Sequence, residues 1–556
     1  MPPGVSEAHK GHVYRADLDH ITSYNFGRND DIVEVIRTSP KVAAMADYSV
    51  FSEASRILND VLLADPALRL PDSFKKAATK PTAANVAAAE RYGTEYQDVQ
   101  VNTDSATLFL ESVLLPTVGG KQFLQNPQMA AEIAKMDIHQ SSKPIRRYAT
   151  NVYKTKDGRW YHLHGSMNAG PTMEMLGVED VDVTPEEAIK IYTEKVTHWH
   201  SKEIEEVANE KYKQAGVVCY TPDEFFTSEQ GKTMSKEPLW NMTRVPAPRK
   251  EWPKARDDQG FKPLAGIRII DFSRVIAAPA VSKMLSVLGA DVLRVSCDKL
   301  PDFGATMPDL QTGKRDTNID LKTDDGKRTF AELVKGADIL VDGYRPGALK
   351  RLGFDTTSLR ELNPSLIYMR ENCYGFKGPL AHRSGWQQIS DCLVGLSHLQ
   401  GKFLGLDEAV VPLLPNSDYQ TGLVGATAAI QALIARTSED VTFDIEISLT
   451  QYNIWYYNLG LYSEEQQREL RARDPDFSPR HYDDMGTLVG RTHQSWKKIR
   501  PDIFTHPEYF WDMSGRNYGL DEDIRVLAPA FKFQTTQIGW EEPTGRRGRS
   551  KPEWIS

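Results

Sequence analysis

From Gly266 onward, short apolar runs alternate with stretches in which apolar residues recur every three or four positions. GIRIIDF reads as a strand and APAVSKMLSVLGA as a helix with Gly289 at its end. ADVLRV reads as a strand, TDDGKRTFAELVKGA as a helix and ADILVDG as a strand. PGALKRLG and DTTSLRELN predict short helices, and SLIYMREN a further strand. Beyond Asp418, TGLVGATAAIQALIAR predicts a long helix. VTFDIEI then alternates, which puts Val441, Phe443, Ile445 and Ile447 on one face. Apolar strands that alternate with helices predict an α/β fold, a Rossmann-like doubly wound parallel sheet covered on both faces.

The rest of the chain has a different rhythm. Residues 1–140 read as a helical region and as an eroded part of a large domain, with alanine-rich stretches such as AANVAAAERYG and QMAAEIAKM. Residues 141–240 read as a smaller α/β domain. Its hairpin flanks Lys156-Asp157-Gly158, a strong turn signal. Thr184 and Glu187 have the spacing of a capping box, and Gly216 is the expected end of that helical run. Residues 241–264, rich in proline and charge, predict a linker. Residues 265–480 form the predicted large domain, and 481–556 an extension that returns to it.

The 556 residues carry a formal net charge of -9, which argues against general nucleic-acid binding. The four cysteines fall in no CxxC or Cys/His metal spacing, which suits a reducing compartment. The N-terminal stretch has no apolar core of a signal peptide, and no apolar run is long enough to span a bilayer. A cytoplasmic protein without membrane partners is the expectation.

Several chemistries are disfavoured. No G-x-G-x-x-G follows the first strand of the large domain, no G-x-x-x-x-G-K-[ST] occurs, and no G-x-S-x-G elbow occurs. His162 and His164 share a strand face and so have one spacing that suits a metal. No nearby cysteine or carboxylate completes a set, so no metal site is predicted.

The stretch PNSDYQTGLVGA places Asp418 just ahead of small residues that open a helix. Ser417 and Asp418 at such a place are ordinary N-caps, each with a contribution of about 1 kcal/mol. The flanking motifs add a second reading. GIRIIDFSRVIAAPAVSKMLSVLGADVLRV, TGKRDTNIDLKTDDGKRTFAELVKGADILVDGYRPGALKRLGFD and LNPSLIYMRENCYGFKGPL occur in that order before the Asp418 stretch. Together they resemble the class III CoA-transferase family (CaiB/BaiF type), which includes formyl-CoA transferase, carnitine CoA-transferase and α-methylacyl-CoA racemase. The small domain also resembles that family's, but it precedes the large domain here, as in a permuted or fused tandem copy.

The resemblance implies that Asp418 is a nucleophile that takes up an acyl group, with a carboxylate already ionised at neutral pH and Gly422 and Gly425 leaving room for a bulky thioester. It implies that the turn Val275, Ile276 and Ala277 lines the CoA nucleotide, and that Arg345 lies near the phosphates. The family's NRGK is QTGK here, which keeps Lys314. A cation usual after the second strand is replaced by Ser296-Cys297-Asp298, and Lys299 or Arg294 is the nearest substitute. The basic GRRGRSK tail reads as a solvated end or a phosphate contact. The family's racemases have a histidine where this chain has Trp386, so transfer of CoA from an acyl-CoA to a carboxylic acid is preferred to racemisation. A non-catalytic CoA-ester-binding protein is the further alternative. CoA esters enter as substrates and no prosthetic group is implied; the resemblance implies an intertwined homodimer, while a permuted, fused chain that meets part of that interlocking internally leaves the oligomeric state open.

Overall fold

The computed structural model describes residues 53–68 apart from 55, 83–254 and 261–555. The N-terminal stretch read for a leader, the start of the predicted helical region and part of the predicted linker lie outside the described residues.

The large sheet has seven strands: β1 (Asn241–Pro246), β2 (Arg268–Phe272), β3 (Asp291–Ser296), β4 (Lys314–Asn318), β5 (Ile339–Asp342), β6 (Ile367–Asn372) and β7 (Val441–Ser448). Their spatial order is β4-β3-β2-β5-β6-β7-β1. Strands β2 to β7 pair in parallel, and β1 runs antiparallel along β7, with Val441 opposite Pro246 and Glu446 opposite Asn241. The order reverses between β2 and β5, so the chain leaves a crevice there at the carboxyl ends of the strands.

Alternation along the strands sorts two cores. Ile269, Val292, Ile339, Val341, Ile367 and Met369 pack under helix α1 (Ala277–Val287) and helix α2 (Asn416–Ser438). Ile270, Leu293, Leu340 and Tyr368 face the opposite side, against Phe330, Leu333 and Leu359 of the covering helices. The predicted inward set on β7, Val441, Phe443, Ile445 and Ile447, is buried.

Two parts of the sheet differ from the sequence-based expectation. The predicted linker begins with strand β1. NMTRVP has β-branched residues and a Met242 that packs on the core, and Pro246 is tolerated because the strand is an edge. The second is β4, KRDTN, too polar to read as a strand although Lys314, Asp316 and Thr317 are buried. Its outer edge is covered by the C-terminal tail, whose Gly548 and Ser550 amides donate to Asp316 at 2.6 and 2.7 Å. The GRRGRSK tail is thus packed along the edge of the large sheet: Arg547 donates to the Leu300 carbonyl at 3.0 Å, and Arg549 reaches Glu542 at 3.1 Å.

The smaller sheet is antiparallel, with strands Asn151–Lys154, Trp160–Leu163 and Gly216–Val218. Its hairpin turns at Gly158, with φ of 76°. Thr184 and Glu187 form the capping box of helix Pro185–Val196. That helix stops well before Gly216, and a second one, Ser201–Glu206, follows. Gly216 instead opens a strand, where a Cβ would collide with the Tyr161 hydroxyl. The N-terminal region contains the predicted helices, at Ala83–Tyr92 and Pro127–Ala134, but strands as well. Val99–Val101 pairs with Phe531–Phe533, and Thr117–Val118 joins a sheet with Asp523–Leu527. Among the described residues no helix is long and apolar enough to cross a membrane.

Candidate active site

A cavity of about 260 Å³ lies at the strand-order reversal. Its floor is the set of segments that leave β2, β5 and β6: Arg274 to Ala277, Gly343 to Pro346, and Glu371 to Cys373. Asp418 closes one wall, and Ser166, Met167, Asn168 and Gln214 of the smaller sheet's region close another.

Asp418 sits in the first turn of α2, inside the helix. Pro415 occupies the N-cap position, and no side-chain cap bond is made there. Ser417 is tied away: its hydroxyl donates to Asp391 at 3.0 Å. Asp391 also accepts from Asn453 at 2.8 Å and from Gln387. Asp418 itself has no hydrogen-bond or ion-pair partner among the described residues. The helix N-terminus favours a negative charge at this place. Burial outweighs it, and with Glu371 and Asp391 nearby it pushes the Asp418 carboxyl well above the usual carboxylate range. Ionisation at neutral pH, expected from the ordinary value of an aspartate, is therefore opposed by this site when it is empty. Asp391 is pushed up to about 7 by burial.

Gly422 and Gly425 do not make room for substrate. A Cβ at Gly422 would lie 2.5 Å from the Ala280 Cβ and 2.9 Å from the Ala277 carbonyl. At Gly425 it would lie 2.6 Å from Ile447 and 2.8 Å from Val281. The small residues let α2 press against α1, and that contact brings Asp418 to the turn at Val275.

That turn is strained. Val275, a β-branched residue, has φ of 72°, a left-handed conformation that costs about 1–2 kcal/mol. Val275, Ile276 and Ala277 all line the cavity, as does Arg345. Beside them stands Arg274, which sequence reasoning missed although it directly precedes the turn. Its guanidinium lies 4.7 Å from the Tyr344 ring centroid and donates to the Pro301 carbonyl at 2.8 Å. Arg345 donates to the Lys213 carbonyl at 3.4 Å. Among the described residues neither arginine has a carboxylate in its hydrogen bonds, so both keep charge for an anion.

The other expected cations are elsewhere. Lys314 is fully buried, with its ammonium 2.8 Å from Asp271 and 2.7 Å from the Pro279 carbonyl. It braces the start of α1 from below and does not line the cavity. Lys299 is exposed and paired with Asp320 at 2.8 Å. Arg294 is buried between Asp302 and Asp316. The chain after β3 contributes Leu300 and Pro301 to the cavity instead. These positions read as phosphate ligands from the sequence, but their charges are already spent on buried or surface carboxylates.

Trp386 lines the cavity, with its indole N–H 3.4 Å from the Ser166 hydroxyl. Its ring stacks on His164 at 5.1 Å, and His164 stacks on His162 at 5.7 Å. Burial pushes the His162 imidazole down to about 4 and that of His164 down as well, so both are neutral packing groups. Among the described residues no cluster of three or more His, Cys, Asp or Glu could hold a metal. The nearest histidines in sequence to Trp386, His382 and His398, which could stand in for the racemases' histidine, are not in the cavity lining. Two further charged residues are in it and were not anticipated, Glu371 and Arg383. Arg383 is held by Glu205 and Glu210, each at 2.9 Å. A glutamate at the carboxyl end of a parallel strand is the signal by which Glu371 could have been found.

Residues 264–487 match the family model of CoA-transferase family III. The chain is 33% identical to an acetyl-coenzyme A transferase of Hypoxylon pulicicidum, over 86% of this chain and 84% of that one. It is 30% identical to an acyl-CoA transferase of Gibberella moniliformis, over 72% and 73%. It is 36% identical to the beta subunit of a succinyl-CoA–L-malate CoA-transferase of Chloroflexus aurantiacus, over 31% of this chain and 45% of that one. The protein belongs to CoA-transferase family III and is an enzyme of that class, with CoA thioesters as substrates.

Proposed function

We propose that the protein moves CoA from an acyl-CoA to a carboxylic acid through a covalent intermediate on Asp418, held by a Rossmann-like large domain. The carboxylate attacks the thioester carbonyl. A C–O bond forms, the C–S bond breaks, and its electron pair leaves on sulfur, which gives a mixed anhydride and CoA thiolate. The thiolate attacks the aspartyl carbonyl and expels the first acid, so the thioester is kept as aspartyl-CoA. The acceptor carboxylate and then CoA repeat the two steps in reverse. Each difficult exchange is split into easier ones, and no thioester is lost to water.

One observation carries this reading: Asp418 is an unpartnered carboxyl in the same cavity as the strained Val275 turn. A cap would be spent on its helix and a structural acid on a cation, and Asp418 is neither. Arg274 and Arg345 supply charge for the CoA phosphates, in place of Lys314 and Lys299. The names of the relatives support acetyl-CoA and succinyl-CoA as first probes. The small-domain residues Ser166, Asn168 and Gln214 would meet the acyl group. Racemisation fits less well, because Trp386 cannot carry a proton to and from carbon. Incubation with acetyl-CoA and succinyl-CoA, hydroxylamine trapping and mass spectrometry of the Asp418 peptide tests the assignment. Hydroxamate at Asp418 supports it, and its absence with CoA exchange intact sinks it.

A further inference from the structure

Glu371 ends β6 and lines the cavity together with Asp418. Its neighbours are all engaged. Arg370 pairs with Glu446 at 2.5 Å, and the Asn372 amide brackets Gly375 at 2.8 and 2.9 Å. Asp342, at the end of adjacent β5, accepts from the Tyr368 hydroxyl at 2.9 Å and the Tyr344 amide at 3.1 Å. Glu371 has no hydrogen-bond or ion-pair partner among the described residues. The titratable and charged groups that line the cavity with it are Arg274, Tyr344, Arg345, Cys373, the Glu-paired Arg383 and Asp418, and the carboxyls of Asp342 and Asp391 lie close behind the lining. The two carboxyls without partners among the described residues, Glu371 and Asp418, therefore line the same cavity.

We propose that Glu371 is a second catalytic residue: it keeps a proton while Asp418 is a carboxylate, gives that proton to the CoA sulfur as the C–S bond breaks, and takes it back when the sulfur attacks again. The proposal rests on the covalent reading of Asp418. In the forward step the carboxylate oxygen of Asp418 bonds to the acyl carbon, the C–S pair goes to sulfur, and the Glu371 proton goes to the same sulfur. The products are the mixed anhydride, CoA thiol and ionised Glu371. In the return step Glu371 removes the thiol proton as sulfur bonds to the aspartyl or acyl carbon. No outside proton source is needed.

The physical case has two parts. Two carboxyls in one cavity resist joint ionisation, so a proton stays with the pair; burial raises both, and Glu371 raises Asp418 further, so the reactive arrangement is the one in which the shared proton has moved to Glu371. A bare thiolate released into this cavity would be a new negative charge close to Asp342 and Asp391, while the mixed anhydride on Asp418 is neutral. Protonation removes that repulsion. Burial, with the nearby Asp342, pushes the Glu371 carboxyl up to about 8. A thiol has an ordinary value of about 8.5, so the proton passes between groups of nearly equal affinity.

The test uses the full chain and the Glu371→Gln variant, with acetyl-CoA and succinyl-CoA in single-turnover mixing. Free CoA release and Asp418 labelling are both read across pH 6 to 9. The expected result is label at Asp418 in both proteins, with release slowed by about 10²-fold or more in the variant. The wild-type rate should fall above about pH 8, where a group of this affinity loses its proton, and that limb should vanish in the variant. Equal rates and an unchanged limb, with Asp418 labelled, overturn the role of Glu371 alone. No label in the wild type overturns the covalent reading and this proposal with it. Should the variant fail to fold, wild-type CoA release in heavy water decides: a slower rate supports proton transfer to sulfur, and equal rates contradict it.

Discussion

The Ser417 hydroxyl is fastened to the buried carboxyl of Asp391 at 3.0 Å, one residue before an aspartate that has no hydrogen-bond or ion-pair partner among the described residues. The contrast defines the site: the helix start is held by a side chain that does no chemistry, which leaves Asp418 free. Asp418→Asn should therefore separate function from stability. Transfer should fall by about 10⁴-fold or more, as for loss of a nucleophile. Thermal unfolding should occur at the same temperature or higher, because a buried, unpaired acid is removed and no partner is lost. A clear drop in melting temperature would assign Asp418 a structural role.

Asp391 makes the site sensitive to pH in a stated direction. Its carboxyl is pushed up from 3.8 to about 7 by burial, so the folded protein holds a proton there that the unfolded chain has lost. The stabilisation is full below about pH 4 and disappears as pH rises through 7. The melting-temperature difference between wild type and Asp391→Asn should shift against the wild type from pH 5 to pH 8, then level off. A flat difference would mean that Asp391 is ionised throughout.

Gly422→Ala tests the helix contact. The added methyl group meets Ala280 and the Ala277 carbonyl, so α1 must move away from α2. Overpacking of this kind costs about 1–3 kcal/mol. Because α1 carries the Val275 turn, KM for acyl-CoA should rise alongside the loss of stability. Unchanged KM in a destabilised variant would show that the helix contact does not set the binding turn.

The cations divide by location. Arg345→Ala should raise KM for acyl-CoA with little change in melting temperature. Lys314→Met should do the reverse, because it strips a buried partner from Asp271, a loss that costs about 3–5 kcal/mol when one member of a buried pair is removed. Lys299→Ala removes an exposed pair worth about 0–1 kcal/mol and should leave both readouts alone. Substrate titrations with melting curves check all of them together.

Most of the architecture was legible because apolar alternation and helical spacing are strong from Gly266 to Ser448. What was hidden had polar residues in buried places. β4 is buried through Lys314, Asp316 and Thr317, and only the tail that bonds to Asp316 makes that tolerable. Strand β1 was obscured by the proline- and charge-rich residues that follow it. Asp418 and the Val275 turn were legible through motif order, and the structure brings them to one cavity. Lys314 and Lys299 misled because a lysine in a motif carries no mark of the aspartate it will meet in space. Glu371 was passed over because Arg-Glu-Asn at a strand end looks like a solvated edge until the strand order is known.

The central claim is that the acyl group rests on one carboxyl. The direct measurement is mass spectrometry of the peptide that contains Asp418 after acyl-CoA, with acceptor withheld, is quenched into hydroxylamine. A hydroxamate on Asp418, absent from Asp418→Asn, is the predicted result. An unmodified peptide from enzyme that is exchanging CoA at full rate would contradict the account.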